Sequence, residues 1–414
     1  MSNHRKNLQT KGVRVLLINQ VFHPDLQATS QYLSRLAEEL SQRGHEVTVL
    51  TARRDYDDPT RVYPAREVWR GVEIIRVWDT GCERGAIGGR MLSYLTFLGA
   101  ALLRGLFLRR PEVVVTLTTP PLVSVLGGML ALLWRARFVY WVMDLNPDQV
   151  VAMGWMKPKA AATRFLERAL RWSLYRAERI IVPDIYLRDR LRNKGIDVEK
   201  IEVIPLWAQG NVTFDPEGRE AFRREHGLTE KYVVMYSGNH SPCHPLDTLV
   251  EAAVLLQNET HIHFCFVGGG IAWGRLRERA RNEGWENASF MGYQPEAKLS
   301  GLLSAADIQV VVMGDPFVGI VHPCKVYNFM AARRPFIYIG PEQSHVKDLI
   351  REAGLDGVTA SFRHGESIAL AEEVTIRSRS YTSSETSPVW RASERFTPWS
   401  EGVALGKVIS VLGE

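Results

Sequence analysis

The sequence predicts an α/β protein with two doubly wound Rossmann-like domains in tandem and a ligand cleft between them. Three observations support this prediction. The 414 residues exceed the roughly 250 to 300 at which a single core stops growing. Short apolar runs alternate with amphipathic stretches, which is typical of parallel sheets covered by helices. The alternation breaks near residue 207 and then begins again.

The first half of the chain begins with a βαβ unit. The nearly continuous apolar run 13–22 predicts a strand that is buried on both faces of a parallel sheet. An amphipathic helix follows over 30–43, Gly44 suits its C-terminal cap, and residues 46–51 predict the next strand. Further strands, with helical stretches between them, are predicted at 72–77, 112–117, 137–144 and 179–183.

A domain boundary is predicted where proline, glycine and asparagine turns interrupt the pattern over 201–218. The first domain is therefore expected to span residues 1–207 and the second to span 208–395. Strands of the second domain are predicted at 231–238, 263–269, 288–292, 308–313 and 335–340.

The end of the chain departs from this alternation. Residues 373–395 are polar, rich in Ser and Thr and weakly periodic, which indicates a long loop. A final helix is predicted near 399–412, and we expect the segment 396–414 to pack back on the first domain.

Composition and charge exclude several classes of protein. With 45% hydrophobic and 23% charged residues, the chain is unlike a mainly disordered, collagen-like or coiled-coil protein. The net charge of +5 comes without a run of basic residues, so we expect no nucleic-acid partner, whereas an anionic substrate or membrane surface fits the charge. The four cysteines form no CxxC pair and follow no secretory signal, which disfavours disulfides or a zinc knuckle and indicates a reducing cytosol.

Two apolar segments raise the question of a membrane. Residues 91–108 contain Arg104, and residues 113–134 are interrupted by Pro120 and Pro121, whereas a spanning helix needs about 20 uninterrupted apolar residues. We therefore predict a buried strand and core helix rather than a transmembrane span. Attachment to anionic lipid stays open, because arginines lie near both segments: Arg104, Arg109, Arg110, Arg135 and Arg137.

Candidate site residues lie in the loops after the strands, because ligands of open parallel sheets bind outside the carboxyl ends of the strands. The first such loop, 23–30, precedes a helix whose N-terminus could direct N–H groups at a phosphate or sugar. The loop lacks the GxGxxG pattern, which argues against a nicotinamide dehydrogenase. A plain surface loop is the alternative.

The second loop, 143–149, follows a very apolar strand. Asp144 stands where a strand delivers a carboxylate into a cleft, and Asp148 follows one turn later. A carboxylate there can hydrogen-bond a sugar hydroxyl or the acceptor nucleophile. Alternatively, one of these aspartates caps the next helix.

The third region, 237–253, opens the second domain. Gly238 permits close backbone approach, and Asn239 and His240 offer hydrogen-bond donors. Because His244 stands just before a helix, the region suits a diphosphate. A metal site at the two histidines is the alternative, but prolines disrupt a shared helical face and no carboxylate is close by.

The fourth region, 314–340, contains Gly319 in a loop and Lys325 at the start of a helix, where an anion would be stabilised. Lys325 can supply a point charge to a phosphate, and Asn328 follows on the same helix. The alternative for Lys325 is a solvated surface lysine.

Together these motifs resemble the GT-B glycosyltransferases of the large retaining family four. The resemblance covers about 13–355 and rests on the order of an HPD loop, GHEVTVLTAR, DLNPD, YSGNHSPCHPLDTLVEAA, FVGGG, GYQPEAKL, AADIQVVV and HPCKVYNFMAARRPFIYIG. Within the family, the sequence is most similar to bacterial sugar transferases of lipopolysaccharide O-antigen, capsule and exopolysaccharide assembly.

The resemblance implies that a hexose passes, with retention, from a nucleotide-diphosphate sugar to an acceptor hydroxyl on a lipid-linked or growing surface glycan. The first domain would bind the acceptor and the second the donor substrate, with no metal or other cofactor. The implied catalytic residues are His23, Asp144 and Lys325. Residues expected to bind the nucleotide sugar are Ser30, Gly238, Asn239, His240, His244, Gly268, Gly269, Tyr293, Gly319, Ile320 and Asn328.

The sequence also departs from the family pattern. His244 replaces a phosphate-binding lysine, and Asn239 replaces an arginine. The family's paired glutamates fall at Ile320, where backbone amides would have to contact the sugar, and at Asn328, which can accept a hydrogen bond from a ribose hydroxyl. These departures leave open a catalytically silent GT-B binding or assembly protein, or a nucleotide-sugar epimerase or hydrolase. The protein is expected to be cytoplasmic and to attach to the inner face of the membrane.

Overall fold

A computed structural model describes residues 12–82, 87–209, 212–379 and 401–413, which form an eight-stranded and a six-stranded sheet with helices on their faces. The strands of the first sheet are β1 (Arg14–Ile18), β2 (Glu46–Ala52), β3 (Arg66–Trp69), β4 (Val72–Val77), β5 (Val113–Thr116), β6 (Arg137–Trp141), β7 (Arg179–Val182) and β8 (Ile201–Val203). The strands of the second sheet are β9 (Tyr232–Asn239), β10 (Ile262–Gly269), β11 (Ala288–Met291), β12 (Ile308–Val312), β13 (Phe336–Ile339) and β14 (Ser361–Phe362).

Helices connect most of these strands. Those of the first domain are α1 (Ala28–Gln42), α2 (Ile87–Gly105), α3 (Val123–Trp134), α4 (Asp148–Ala152), α5 (Ala161–Arg176) and α6 (Ile185–Asn193). Later in the chain come α7 (Pro216–Glu225), α8 (Asp247–Leu255), α9 (Trp273–Asn282), α10 (Leu299–Ala305), α11 (Lys325–Ala331), α12 (His345–Glu352), α13 (Ser367–Arg379) and α14 (Glu401–Leu412).

The strand order identifies both sheets as doubly wound. The first sheet has the order β3-β4-β2-β1-β5-β6-β7-β8 and is parallel except where edge strand β3 pairs with β4. The second has the order β11-β10-β9-β12-β13-β14 and is parallel throughout. The chain order reverses beside β1 and β9, which is where such sheets bind ligands. The predicted fold class is confirmed.

Strand β1 shows why an apolar run predicts a central strand. It pairs with β2 on one side and β5 on the other, so that Leu17 lies opposite Val49 and Val115. Leu17 packs into a cluster on one face of the sheet, and Leu16 and Ile18 pack into a second cluster on the other face. Because helices cover both faces, neither face of the strand needs polar side chains.

The predicted loop at 373–395 is wrong over its first part, because helix α13 continues to Arg379. Leu370 and Val374 stand one turn apart, are fully buried and share a cluster with Leu249 of α8. This short apolar stripe stabilises the helix although its sequence is weakly periodic. The rest of the predicted loop, 380–395, lies outside the described residues.

Helix α14 packs against α1 of the first domain. Leu405 and Val408 of α14 share a hydrophobic cluster with Leu36 of α1, and Arg35 forms an ion pair with Glu401. The last turn is joined to the first sheet where Arg137 Nη1 donates a hydrogen bond to the Leu412 carbonyl at 2.7 Å. The end of the described chain therefore packs on the first domain.

The two long apolar segments of the sequence, residues 91–108 and 113–134, lie mostly in α2 and in the β5–α3 unit. Val114 and Val115 of β5 are fully buried, and α3 packs beside α2 and α5. In the parts of the chain that the structure describes, no helix has the length and apolarity needed to cross a bilayer.

Candidate functional site

Lys325 is the central charged residue at the carboxyl end of the second sheet. It begins helix α11, and its Nζ lies 3.8 Å from the ring centroid of Tyr236 in β9. Gly238 at the end of β9 makes this approach possible, because a Cβ there would lie 2.8 Å from Nζ. Gly238 also has φ +136°, which disfavours other residues. Gly238 and Lys325, which the sequence predicts separately as site residues, therefore lie next to each other.

The Lys325 ammonium has no anionic partner in the part of the chain that the structure describes. Its Nζ is buried and has no hydrogen-bond partner among the described residues, so the alternative of a solvated lysine is wrong. Burial lowers the pKa of Lys325 to about 7, because a charged amine is poorly stabilised away from water. An anionic ligand would restore the charged form and offset the cost of its burial.

His240 and His244 stand beside this lysine. His240 Nδ1 lies 3.0 Å from the Gly238 carbonyl, and His244 Nδ1 lies 2.8 Å from the Val312 carbonyl. Burial, and secondly the nearby Lys325 charge, lower the pKa of His240 to about 4 and that of His244 to about 3.

These contacts decide what the two imidazoles offer to a ligand. A carbonyl partner requires the proton on Nδ1, so each Nε2 carries a lone pair. Nε2 of His240 is buried without a partner in the described structure. His240 is therefore an acceptor for a ligand hydroxyl, rather than the donor that we expected from the sequence.

Glycines shape the neighbouring end of β10. Gly268 has φ +124°, and a Cβ there would collide with the Gly238 carbonyl oxygen. Gly269 lies opposite Asn239 in the strand register, and a Cβ on Gly269 would lie 3.0 Å from the Tyr293 ring. Tyr293 is 60% exposed and Asn239 is exposed as well. These predicted residues thus lie around one open strand end.

Asp144 follows strand β6 of the first domain. Burial raises the pKa of its carboxyl group to about 6, and the nearby His322 opposes this shift. Its carboxylate has no hydrogen-bond or ion-pair partner among the described residues. Helix α4 is preceded by Pro147 and has no side-chain cap, whereas Asp148 pairs with Lys194 at 2.9 Å. The capping alternative is therefore wrong, and Asp144 is available to a ligand.

The loop after β1 supplies polar groups from the first domain. His23 stacks on Trp69 with ring centroids 4.4 Å apart, and burial lowers its pKa. Ser30 lies in the first turn of α1, and its hydroxyl is buried without a partner in the described chain. Beside them, burial raises the pKa of Asp25 to about 7 while its carboxylate accepts a hydrogen bond from the Tyr56 N–H.

Gln20 was not predicted. It follows β1, is 1% exposed, and neither its amide oxygen nor its amide nitrogen has a partner within the described residues. A buried amide without partners is costly unless water or a ligand binds it. The available signal was the polar pair Asn19–Gln20 inside an otherwise apolar run.

Three residues predicted to contact the nucleotide sugar are engaged in contacts with the first domain or the linker. A Cβ on Gly319 would lie 2.6 Å from the Tyr186 carbonyl oxygen, and Asn328 Oδ1 accepts a hydrogen bond from the Gln209 N–H at 2.7 Å. The Ile320 side chain is 2% exposed, and its carbonyl accepts a hydrogen bond from Leu145 N–H at 2.9 Å. A ribose hydroxyl at Asn328 would therefore share this oxygen with Gln209.

The main-chain N–H of Ile320 is not available to a sugar. Its N–H donates to the Phe317 carbonyl at 2.9 Å, in addition to the contact that its own carbonyl makes. Its side chain packs in the same hydrophobic cluster as Leu145 of the first domain. Backbone amides that contact the sugar would have to come from another residue.

A cluster of Asp184, His322 and His345 offers three potential metal ligands within 4.8 Å of one another. His322 Nδ1 lies 2.7 Å from Asp184 Oδ2, and its Nε2 lies 2.9 Å from the Tyr327 hydroxyl. The rings of His322 and His345 are stacked 3.8 Å apart at 25°, so their in-plane lone pairs do not converge. The geometry suits a buried link between α6 and the loop before α11 better than a metal site.

This link also sets the charge of Asp184. Burial would raise its pKa, but the hydrogen bond and charge of His322, together with His345, hold the pKa below its usual range. Asp184 also caps α6 by accepting a hydrogen bond from the Leu187 N–H at 2.8 Å. Sequence reasoning missed this cluster because its members come from distant segments.

Comparison with known families identifies the chain. Residues 28–207 match the model of the glycosyl transferase 4-like domain, and residues 231–375 match that of the glycosyl transferases group 1. The chain belongs to the glycosyltransferases. The two matches cover every strand of the two sheets except β1, and the resemblance found in the sequence is confirmed.

Two curated relatives of this glycosyltransferase come from bacteria. The putative colanic acid biosynthesis glycosyl transferase WcaI of Escherichia coli K12 is 26% identical over 342 residues, which is 77% of this chain and 81% of WcaI. The probable glycosyltransferase WbjE of Pseudomonas aeruginosa is 25% identical over 248 residues. That second match spans 60% of this chain and only 62% of WbjE.

A solved structure shows the same fold. HepE of Anabaena, in complex with UDP-glucose, matches with a TM-score of 0.69 and 14% sequence identity, over 97% of this chain and 99% of HepE. At that identity the comparison establishes the GT-B fold of this glycosyltransferase and nothing finer.

Proposed function

We propose that this glycosyltransferase transfers a hexose from a nucleotide-diphosphate sugar to an acceptor hydroxyl with retention of configuration. The observation that supports it most directly is the Lys325 ammonium at the start of α11, which is buried and has no hydrogen-bond partner within the described chain. A diphosphate is the anion that a donor sugar would bring there, and the similar fold of HepE holds UDP-glucose. The second sheet would then bind the donor.

In this proposal the protein itself neutralises the leaving diphosphate. The Lys325 ammonium and the main-chain N–H groups at the start of α11 would stabilise negative charge as the sugar bond breaks. The close approach allowed by Gly238 would let the phosphates lie against β9. The reaction would thus proceed without a metal ion.

Asp144 would act from the first domain. Its pKa of about 6 leaves the carboxyl group largely ionised at neutral pH, and it lacks a protein partner among the described residues. It can therefore accept a hydrogen bond from a hydroxyl of the transferred sugar or of the acceptor and hold it in a reactive orientation. Gln20 and His23 at the end of β1 would line the same side of the site.

A lipid-linked or growing surface glycan is the proposed acceptor, in line with the colanic acid role printed for WcaI. Access to such a substrate would come from peripheral attachment to the inner face of the membrane. Apolar side chains on neighbouring helices α2 and α3 are exposed to water and would face the lipid. They are Met91, Leu92, Leu95, Met129, Leu132 and Leu133, together with Leu106 just after α2.

A product assay tests the function. The full chain is incubated with a panel of nucleotide-diphosphate sugars and bacterial membrane lipid extract, and products are identified by mass spectrometry. We expect an acceptor that gains one hexose, with the anomeric configuration of the donor in the NMR spectrum. Free sugar would indicate a hydrolase, a changed nucleotide sugar an epimerase, and binding without turnover a silent assembly protein.

A further inference from the structure

We propose that a surface groove between β4 and α2 binds the hydrocarbon chain of a lipid phosphate that anchors the acceptor. The proposal deepens the function proposed above and rests on it for the identity of the acceptor. The groove has a volume of about 650 Å³. Arg66 and Trp78 line its sheet side, and Leu103, Arg104 and Phe107 line its helix side.

Large apolar side chains in the walls of this groove are exposed to water, which is unfavourable. The exposed fractions are 57% for Trp78, 64% for Leu103 and 79% for Phe107. A hydrocarbon chain lying along the groove would remove these side chains from water, which is the main favourable term in binding a lipid tail. The groove also adjoins the exposed apolar residues of α2, from which a lipid would enter.

Charge indicates that the ligand has an anionic head. No acidic side chain lines the groove among the described residues. Arg66 and Arg104 line it, and neither guanidinium has an ion-pair or hydrogen-bond partner in the part of the chain that the structure describes. A phosphate would pair with these groups, whereas an uncharged apolar ligand would leave both charges unpaired beside it.

Arg76 connects the groove to the candidate site. Arg76 borders the groove, and its side chain is nearly fully buried and paired with Glu67 at 2.6 Å. Its Nη2 also donates a hydrogen bond to the His23 carbonyl at 2.9 Å. One side chain therefore spans from the groove to the loop after β1. A lipid held in the groove would keep its head group on the first-domain side of the site, where an acceptor belongs.

Photo-crosslinking tests the groove directly. The probe is a short-chain isoprenyl monophosphate with a diazirine at the end of its tail, used with the full chain below the critical micelle concentration of the probe. We expect cross-links on Leu103 and Phe107, mapped by mass spectrometry, and a several-fold loss of labelling in Leu103→Asn. Leu95→Asn is the matched control, because Leu95 lies on the same helix and is 56% exposed but does not line the groove.

The phosphate contribution needs a second comparison. The double variant Arg66→Ala/Arg104→Ala should lose the contribution of the phosphate. Its labelling by the phosphate probe should be no greater than the labelling of the unchanged protein by the corresponding alcohol. An equal loss of labelling in the Leu103 and Leu95 variants would overturn the proposal, and so would cross-links spread over α3. Thermal melts confirm that these surface variants fold. The labelling experiment does not depend on sugar transfer. If the groove is not labelled while nucleotide-sugar binding at Lys325 is intact, this inference is refuted and the proposed function is not.

Discussion

The Lys325 ammonium lies 3.8 Å from the ring centroid of Tyr236 and is held there without an anion among the described residues. The negative face of the Tyr236 ring stabilises the charged form only in part, and burial still lowers the pKa of Lys325 to about 7. The lysine is thus positioned for a ligand before the ligand binds.

Replacement of Lys325 by Met should weaken nucleotide-sugar binding by about ten- to one-hundred-fold, since a hydrogen bond to a charged group contributes roughly 1.5 to 3 kcal/mol. The melting temperature should stay the same or rise, because a buried unpaired charge is removed. Calorimetric titration measures the dissociation constant, and a thermal melt measures the melting temperature. Lys298→Met is the control, as Lys298 is exposed on the same domain. An unchanged dissociation constant for Lys325→Met would contradict the proposed donor site.

Donor binding should depend on pH through Lys325. In the free protein this group is about half protonated at pH 7, given its pKa. A bound diphosphate favours the ammonium and raises its pKa, so binding takes up a proton and affinity falls as pH rises above 7. Calorimetric titration at about pH 8, in buffers of different ionisation enthalpy, measures this uptake of a proton. Lys325→Met should lose it, and equal uptake in that variant would assign the proton to another group.

Replacement of Asp144 by Asn should lower turnover by about two orders of magnitude or more and change donor affinity only a few-fold, because Asp144 would act on hydroxyls at the chemical step. Stability should not fall, since Asp144 caps no helix in the structure. Steady-state kinetics beside a thermal melt measure these effects. Asp148→Asn, which breaks only the pair with Lys194, should retain near-normal turnover. Full activity in the Asp144 variant would remove this residue from the catalytic set.

Replacement of Gly238 by Ala should weaken donor binding, because the new Cβ would lie 2.8 Å from Lys325 Nζ and displace it. Gly227→Ala separates this effect from backbone strain. Gly227 also has a left-handed φ, +66°, but no atom within 4 Å of an added Cβ. We expect both variants to lose some stability and only Gly238→Ala to lose affinity by titration. Equal affinity in the two variants would mean that Lys325 does not set donor binding.

Membrane attachment should depend on anionic lipid and on salt. The exposed apolar residues of α2 are followed in the chain by Arg109, whose side chain is 72% exposed and pairs with Glu46. We expect flotation with anionic vesicles at low salt, less with neutral vesicles, and a loss as salt screens the charges. Leu132→Asp combined with Leu133→Asp should reduce recovery further. Equal recovery from neutral and anionic vesicles would exclude the electrostatic part of this proposal.

Much of the fold follows from the pattern of apolar residues alone. The run 13–22 predicts a buried strand because helices on both faces of a parallel sheet leave no place for alternating polar residues. The second series of strands, from 231 onward, predicts the second sheet in the same way. Short edge strands such as β3 and β14 were not predicted, because two to four residues contain too little periodicity.

The sequence by itself determined the fold class, the family and the position of Lys325 at the start of a helix after a strand. Only the tertiary structure decided which polar residues are free for a ligand. Ile320 and Asn328 stand at positions that suggest sugar and ribose contacts, yet both are bonded to segments far away in the chain. Gln20 is recognised as a candidate site residue only from its burial in the structure. The physical reason is that the partners of a side chain are set by packing between distant segments, which local periodicity does not encode.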